Sequence, residues 1–510
     1  MTKYCDPKAE DREKRVQRTQ RRLTPALVHL LPGSRTKKLL CLTTLGALAL
    51  SLVAVPCWAR STPPRADLSS KVDLPPALRF EGPRYERAAH TKAEVTVPAA
   101  AKAKPWNIVL VIMESTGLSY YRDKQRGVYV MPFLRKLASE GYELTRHYSP
   151  ANTSPRSVAA LFTGLYPMPE RRIFAMSKGL HLPTLVTLLG PGYGSLFVTP
   201  GSLRWYFPMD LFRRKGPRQI YGFKTLPIRR RAPGFKLAAH EVPTVGFFLK
   251  KLDELSKKGQ PFFATYYSFV AHWPYPDFGK PYHRVRPRRK VDNYLNNLYL
   301  LDKQIERIYR HLEARKLLGH TIIAAVGDHG EAWGQHQNNY AHARASFNEN
   351  YMTPGVLWQP KLFSPRKIDA VTTHVDLVPT LLDAVGKPQN RKLLQGESLF
   401  QRELARRYVF LIGNEGVYSS VSRGGIKLQI KIGARGRGAC WAYDLNADPG
   451  EKRRKRCKAY PKQLAATKAY RAAQRQLLRA YNAACQAKRP FRGERHPSSP
   501  RREPPRQVAE

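Results

Sequence analysis

Thr321-Ile322-Ile323-Ala324-Ala325-Val326-Gly327-Asp328-His329-Gly330-Glu331-Ala332-Trp333-Gly334-Gln335-His336 begins as an apolar β-type run and ends as a polar turn. The strand Thr321 to Val326 delivers an aspartate and a histidine side by side. Gly327, Gly330 and Gly334 then let the chain turn. A carboxylate and an imidazole at a strand end can grip one divalent cation, because both are hard-to-borderline ligands aimed at one point. A surface turn in which Asp328 caps a helix has the same local pattern. What separates the two readings is whether the rest of the chain supplies the other parts of a site.

Working outward, Val291 to Leu318 has a long 3.6-residue apolar period and reads as the helix before that strand. Trp106 to Met113 (WNIVLVIM) is a second continuous apolar run, ending at Glu114-Ser115-Thr116-Gly117. It reads as a fully buried parallel strand with a functional turn at its C-terminal end. Met131 to Glu140 has helical spacing, and Gly141 to Ser149 returns to a strand. Asn152 to Tyr166 opens with polar residues and Pro155 and then turns apolar, as a helix with proline near its first position does. Leu182 to Leu189 reads as a helix, Gly194 to Val198 as a strand, and Phe262 to Val270 as an aromatic strand. Strands alternating with helices predict an α/β sandwich with a mainly parallel sheet. Beyond Gly386, Tyr408 to Ile412, Val417 to Ser420 and Lys427 to Ile432 read as short strands of a smaller C-terminal subdomain, spanning 387–460. Ala465 to Ala484 reads as a basic helix, and the rest of 461–510 is rich in Pro and Arg, the composition of disorder.

The chain has 510 residues, enough for two or three domains, and 88 basic against 38 acidic residues, a net charge of +50. Such a balance suits polyanions: anionic headgroups, acidic polysaccharide or nucleic acid. It also fits a compositional bias with no partner, and no specific nucleic-acid motif accompanies it. Residues 1–38 form a basic tail. Leu39 to Ala59 is almost uncharged and long enough to span a bilayer as a helix, for which roughly 20 apolar residues suffice. The preceding cations predict a cytoplasmic N-terminus, with the catalytic body periplasmic or extracellular. A cleaved signal peptide is the competing reading. Residues 60–104, rich in Pro, Ala and Lys, read as a linker ahead of a catalytic domain at 105–386. The six cysteines form no CxxC pair, which argues against a structural zinc site. Cys440 and Cys457 flank one loop and suit either a disulfide or two free thiols.

NIVLVIMESTG, MPFLRKLASEGYELTRHYSP, SVAALFTGLYP, the segment from Asn296 to His336, THVDLVPTLLDAVG and YDLNADPGE together resemble, in order, segments of the sulfatase family of the alkaline phosphatase superfamily. The resemblance covers about Trp106 to Lys452. It implies an alkaline-phosphatase-like α/β sandwich with a small C-terminal α+β subdomain, and a metal-dependent ester hydrolase or headgroup transferase. Glu114, Asp328 and His329 take the positions of metal ligands for a divalent cation (Mn, Zn, Mg or Ca). The single Glu114 followed by Ser115, where arylsulfatases begin an Asp-Asp pair, is more similar to the lipoteichoic acid synthase and phosphoethanolamine transferase branch.

The implied nucleophile lies within Asn152 to Ser157. Counting back from Thr163-Gly164 selects Ser154; the position of Pro155 offers Thr153 instead. Either hydroxyl at a helix N-terminus would have its alkoxide stabilised by the metal and by free N–H groups. Neither fits the Cys/Ser-x-Pro-x-Arg pattern that sulfatases convert to formylglycine, so a direct Ser or Thr nucleophile is expected, with Arg156 clamping a phosphoryl oxygen. His272, in Ala271-His272-Trp273-Pro274, resembles the family's His-x-Pro turn, which contacts substrate or assists the leaving group. His336 and His342 are candidates for a second metal or the phosphoryl group; His374 is a weaker candidate and suits a structural role. The expected function is a membrane-anchored, metal-dependent hydrolase of phosphate or sulfate esters on an anionic lipid or glycan. A headgroup transferase, a true sulfatase and a non-enzymatic anionic-lipid-binding module are the alternatives. Oligomeric state is left open.

Overall fold

The structure is a computed structural model that describes residues 95–103, 105–167, 184–203, 212, 216–387, 394–401, 404, 408–414, 416–432 and 438–486. The basic tail, the apolar stretch Leu39 to Ala59, most of the linker and the residues after Gln486 lie outside the described residues. Among the described residues, no helix is long and apolar enough to cross a membrane.

The central sheet is built from β1 (Asn107–Met113), β2 (Tyr142–Tyr148), β3 (Gly194–Val198), β4 (Gln219–Tyr221), β5 (Phe262–Tyr267), β6 (Thr321–Gly327), β7 (Gly355–Trp358) and β8 (Arg366–Thr373). Its spatial order is β4-β3-β5-β1-β6-β7-β2-β8. Every neighbouring pair is parallel except those made by β7, which runs antiparallel to β6 and β2. Helices α1 (Pro132–Ser139), α2 (Ser154–Thr163), α3 (Glu241–Ser256), α4 (Lys290–Ala314), α5 (Asn348–Tyr351) and α6 (Leu377–Ala384) accompany it.

Alternation along β1 explains why its sequence is apolar without a break. Val109, Val111 and Met113 pack with Phe248 and Leu252 of α3 and Leu298 and Leu301 of α4. Ile108, Leu110 and Ile112 pack on the opposite face with Val158 and Phe162 of α2 and Leu381 of α6. A strand covered on both faces has no polar side. The helices also cap one another: the Asp302 carboxylate of α4 accepts the N–H groups of Phe133 and Leu134 at the start of α1, at 2.9 and 2.8 Å. Those N–H groups have no partner within their own helix.

A second, antiparallel sheet holds β9 (Tyr408–Ile412), β10 (Val417–Ser422), β11 (Ile426–Ile432), β12 (Gly438–Asp444) and β13 (Lys455–Arg456), in the order β13-β12-β11-β10-β9. Helix α7 (Pro461–Gln486) lies against it: Thr467 meets Ser420 Oγ at 2.6 Å, and Tyr470 packs with Phe410 and Tyr418. Cys440 and Cys457 form a disulfide. The aromatic strand expected over Phe262 to Val270 stops at Tyr267: Ser268 N still bonds Ile112 O of β1, but Phe269 N is taken by the Glu241 carboxylate and the chain enters the His272 turn.

Candidate active site

Register places the site. β1 and β6 pair in parallel with Met113 opposite Gly327, so Glu114 and Asp328 leave adjacent strand ends together. On the other side of β1, Ile112 stands opposite Tyr267, the last residue of β5. The site therefore forms at the carboxyl ends of β5, β1 and β6, where loops of a parallel sheet converge.

Ser115 holds the turn after β1 in a left-handed conformation, φ 52°. That backbone aims its N–H at Asp328 Oδ1, 2.8 Å away, while Tyr294 of α4 donates to Ser115 O at 2.7 Å. After β6, Gly334 and Gly330 serve different needs. Gly334 has a positive φ of 84°. Gly330 is needed for close approach, since a Cβ there would lie 2.2 Å from Glu349 O.

Glu114, Asp328 and His329 are fully buried, and one ligand atom from each lies within 4.8 Å of the others. His329 Nδ1 sits 3.0 Å from Gly330 O, which can only accept, so Nδ1 carries the proton and Nε2 presents its lone pair. Burial, and then the neighbouring His342, hold His329 well below the ordinary histidine pKa, so it is neutral. Its Nε2 stands 3.3 Å from Asp328 Oδ2 and 3.6 Å from Glu114 Oε1. Burial and the Asp328 charge push Glu114 far above the usual carboxylate range, and burial raises Asp328 too. The Tyr267 hydroxyl touches both, lying 2.6 Å from Asp328 Oδ2 and close to Glu114 Oε2. One phenolic proton cannot satisfy two carboxylates at once. Two buried carboxylates and a lone pair facing one point fit a divalent cation.

Ser154 opens α2 against this cluster. Its Oγ is 3.0 Å from His329 Nε2 and 3.3 and 3.4 Å from the two Glu114 oxygens. Thr153, the cap residue of α2, makes no side-chain capping bond and is only partly buried. Arg156 is buried in the first turn of the same helix.

His342 Nδ1 lies 3.1 Å from Glu331 Oε2, and its ring is 4.2 Å from that of His329. His329, Glu331 and His342 form a second group with ligand atoms within 4.8 Å. Burial opposes charge on His342, but the Glu331 carboxylate carries its pKa above the ordinary value. His272 is 6.1 Å from His342, ring to ring, and donates from Nδ1 to Trp273 O at 2.6 Å. Burial, and then His342, lower His272 to about 4. His336 is not brought in: its ring stacks on Phe347 at 3.5 Å and its Nδ1 pairs with Glu349 at 2.6 Å.

Sequence reading missed Tyr267 and the support behind Asp328. His374 Nε2 donates to Asp328 O at 2.9 Å, so its Nδ1 accepts from His147 Nε2 at 3.0 Å. His147 Nδ1 then accepts from Thr372 Oγ1 at 3.0 Å. Each proton in this buried chain is fixed by the carbonyl at its end.

Residues 106–387, more than half of the chain, match the family model Sulfatase. The lipoteichoic acid synthase of Staphylococcus saprophyticus is 22% identical over 344 residues, covering 62% of this chain and 51% of that protein. The chain thus spans about half the length of the curated relatives it matches. Among solved structures, a protein in the alkaline phosphatase superfamily from Vibrio parahaemolyticus is similar with a TM-score of 0.63 and 20% identity, covering 78% of this chain and 95% of that one. A lipoteichoic acid synthase from Listeria monocytogenes is similar with a TM-score of 0.60 and 17% identity, covering 80% and 98%. The fold is that of the alkaline phosphatase superfamily, and the chain belongs to the sulfatase family.

Proposed function

We propose that this chain is a metal-dependent hydrolase of phosphate esters that uses Ser154 as its nucleophile, anchored in the membrane by Leu39 to Ala59 and working on an anionic substrate outside the cytoplasm. The observation that carries this is the position of Ser154 Oγ, 3.0 Å from the His329 lone pair and 3.3 Å from Glu114, at the N-terminus of α2. Glu114, Asp328 and His329 would hold the divalent cation, with Ser154 beside them. When bound, such a cation lowers the pKa of a hydroxyl and neutralises charge on the ester.

The chain's own groups divide the remaining work. The Ser154 hydroxyl, its pKa lowered by the cation, would release its proton to solvent; Oγ then adds to phosphorus and the bond to the alcohol breaks. His342, whose pKa the Glu331 carboxylate raises, would give the leaving oxygen its proton. His272, kept neutral, carries its proton on Nδ1, which is bound to Trp273 O, so the lone pair is on Nε2. It is suited to take a proton from the water that frees the serine. Two titratable groups pushed apart in pKa are the usual signature of an acid and base pair. Ser154 is followed directly by Pro155, which does not fit the formylglycine pattern and favours phosphate over sulfate. The lipoteichoic acid synthases among the relatives support a second reading, in which an alcohol replaces water as the acceptor.

The test assays the full chain, supplied with Mn or Zn, on aryl phosphate, phosphodiester and sulfate esters, with and without glycerol as acceptor. Ser154→Ala is expected to lose at least about a thousandfold in kcat, and Thr153→Ala to keep most of it. Activity untouched by Ser154→Ala, or a formylglycine in the Asn152 peptide by mass spectrometry, overturns the serine reading. A glyceryl product in place of free phosphate selects transfer.

A further inference from the structure

Three large apolar side chains stand out as exposed among the described residues: Leu237 at 47%, Trp273 at 57% and Tyr340 at 58%. They come from three separate loops, each next to His272 or His342 in the chain or in contact with the His272 turn. Trp273 directly follows His272. Leu237 belongs to the 227–238 loop, which packs on the Trp273 turn through Phe235, 5.1 Å from Phe269 and 6.2 Å from His272. Tyr340 pairs with Trp333, whose ring is 4.6 Å from Tyr275, and it precedes His342 by two residues. Single exposed apolar residues need no explanation, but three of them on loops that adjoin the same site do.

One of these loops is also cationic. The 227–238 loop exposes Arg229, Arg230, Arg231 and Lys236 and contains no acidic residue. We infer that this rim is a docking surface for an anionic lipid bilayer. An indole and a phenol rest favourably at headgroup depth, apolar body inward and polar edge in water. Basic side chains beside them are drawn to anionic lipid. A soluble polyanion would account for the arginines but leaves Leu237 and Trp273 unexplained, and a zwitterionic surface would account for the apolar side chains but not the charge. The inference rests on the proposed function only in taking these loops as the rim of the active site.

The experiment reads binding and needs no turnover, so it stands apart from the chemistry. The full chain is reconstituted into vesicles of phosphatidylglycerol or of phosphatidylcholine, each with brominated acyl chains, and tryptophan quenching is recorded for wild type and Trp273→Phe. Seven tryptophans contribute, so the difference between the two proteins isolates Trp273. Wild type is expected to show a quenched component that Trp273→Phe lacks. That component should be at least twofold larger in phosphatidylglycerol, and Leu237→Asp should reduce it. Equal quenching of the two proteins, or a difference independent of headgroup charge, overturns the inference. So does a Trp273 response to dextran sulfate alone, which would assign the rim to a soluble polyanion.

Discussion

At Tyr267 a single hydroxyl serves two carboxylates, and under the proposed function its value lies in holding Glu114 and Asp328 where the cation would need them. Removing a partner of this kind typically weakens metal binding roughly 10- to 100-fold. Tyr267→Phe is therefore expected to lower affinity for Mn or Zn by that factor, read by calorimetric titration, while the melting profile of the metal-free protein stays cooperative. An unchanged affinity would reduce Tyr267 to packing. Nothing in the sequence marks this residue, which ends an aromatic strand in which Phe262, Phe263, Tyr266 and Tyr267 all read as core. The proposed ligands announce themselves because Asp328-His329 and Glu114 break apolar runs. Groups that orient ligands sit inside such runs, or come from distant segments, as His147 and His374 do.

Between the residues and the sheet, the elements set how the His272 turn is carried. Glu241 opens α3 and reaches across to β5, where its carboxylate accepts from Tyr266 at 2.8 Å and from Phe269 N at 3.3 Å. The Phe269 ring stacks on His272 at 4.5 Å. Burial raises the Glu241 pKa from 4.5 to about 7, against the pull of its hydrogen bonds. Between those values the folded state binds more protons than the unfolded one, so stability falls as pH rises from 4.5 through about 7. The contribution is on the order of 3 kcal/mol. Asp302, also raised by burial to about 7, adds a slope of the same sign. Glu241→Gln should flatten the fall in melting temperature between pH 5 and 8 without abolishing it; an identical pH profile would contradict the assignment. The polar turn after β6 is similarly constrained. Gly330→Ala would push a methyl into Glu349 O, a backbone atom that cannot swing away. A loss of about 3 kcal/mol is expected in denaturant unfolding, and a loss under 1 kcal/mol would show that the turn can shift. The central strands were legible as unbroken apolar runs. β8 was not, since Arg366, Lys367 and Asp369 disguise an edge strand that is half exposed. β7 is only four residues long, too short to show a period.

At the scale of the whole molecule, one of the links from the second sheet toward the site is a buried ion pair. Lys427 Nζ of β11 lies 2.7 Å from Glu451 Oε1, with both side chains buried. Both also bind the start of α5: Lys427 meets Asn348 Oδ1 at 3.1 Å, and Glu451 accepts from Asn348 N at 2.5 Å. From α5, Asn350 Nδ2 donates to His342 O at 2.8 Å, and Asn350 O accepts from Gly330 N at 3.2 Å. The C-terminal subdomain thus holds the segment that carries His342, though it supplies none of Glu114, Ser154, Asp328 or His329. Removing one partner of a buried pair leaves the other charged and unpaired, at a cost of about 3–5 kcal/mol, whereas replacing both by apolar or neutral groups is often close to neutral. Lys427→Met alone should be strongly destabilising, and Lys427→Met with Glu451→Gln should recover most of the loss. The double variant would still lack the tie to α5, so its defect should appear in turnover more than in melting temperature. Additive losses in the double-mutant cycle, or full activity in a stable double variant, would show that the second sheet only packs against the catalytic body and does not position it.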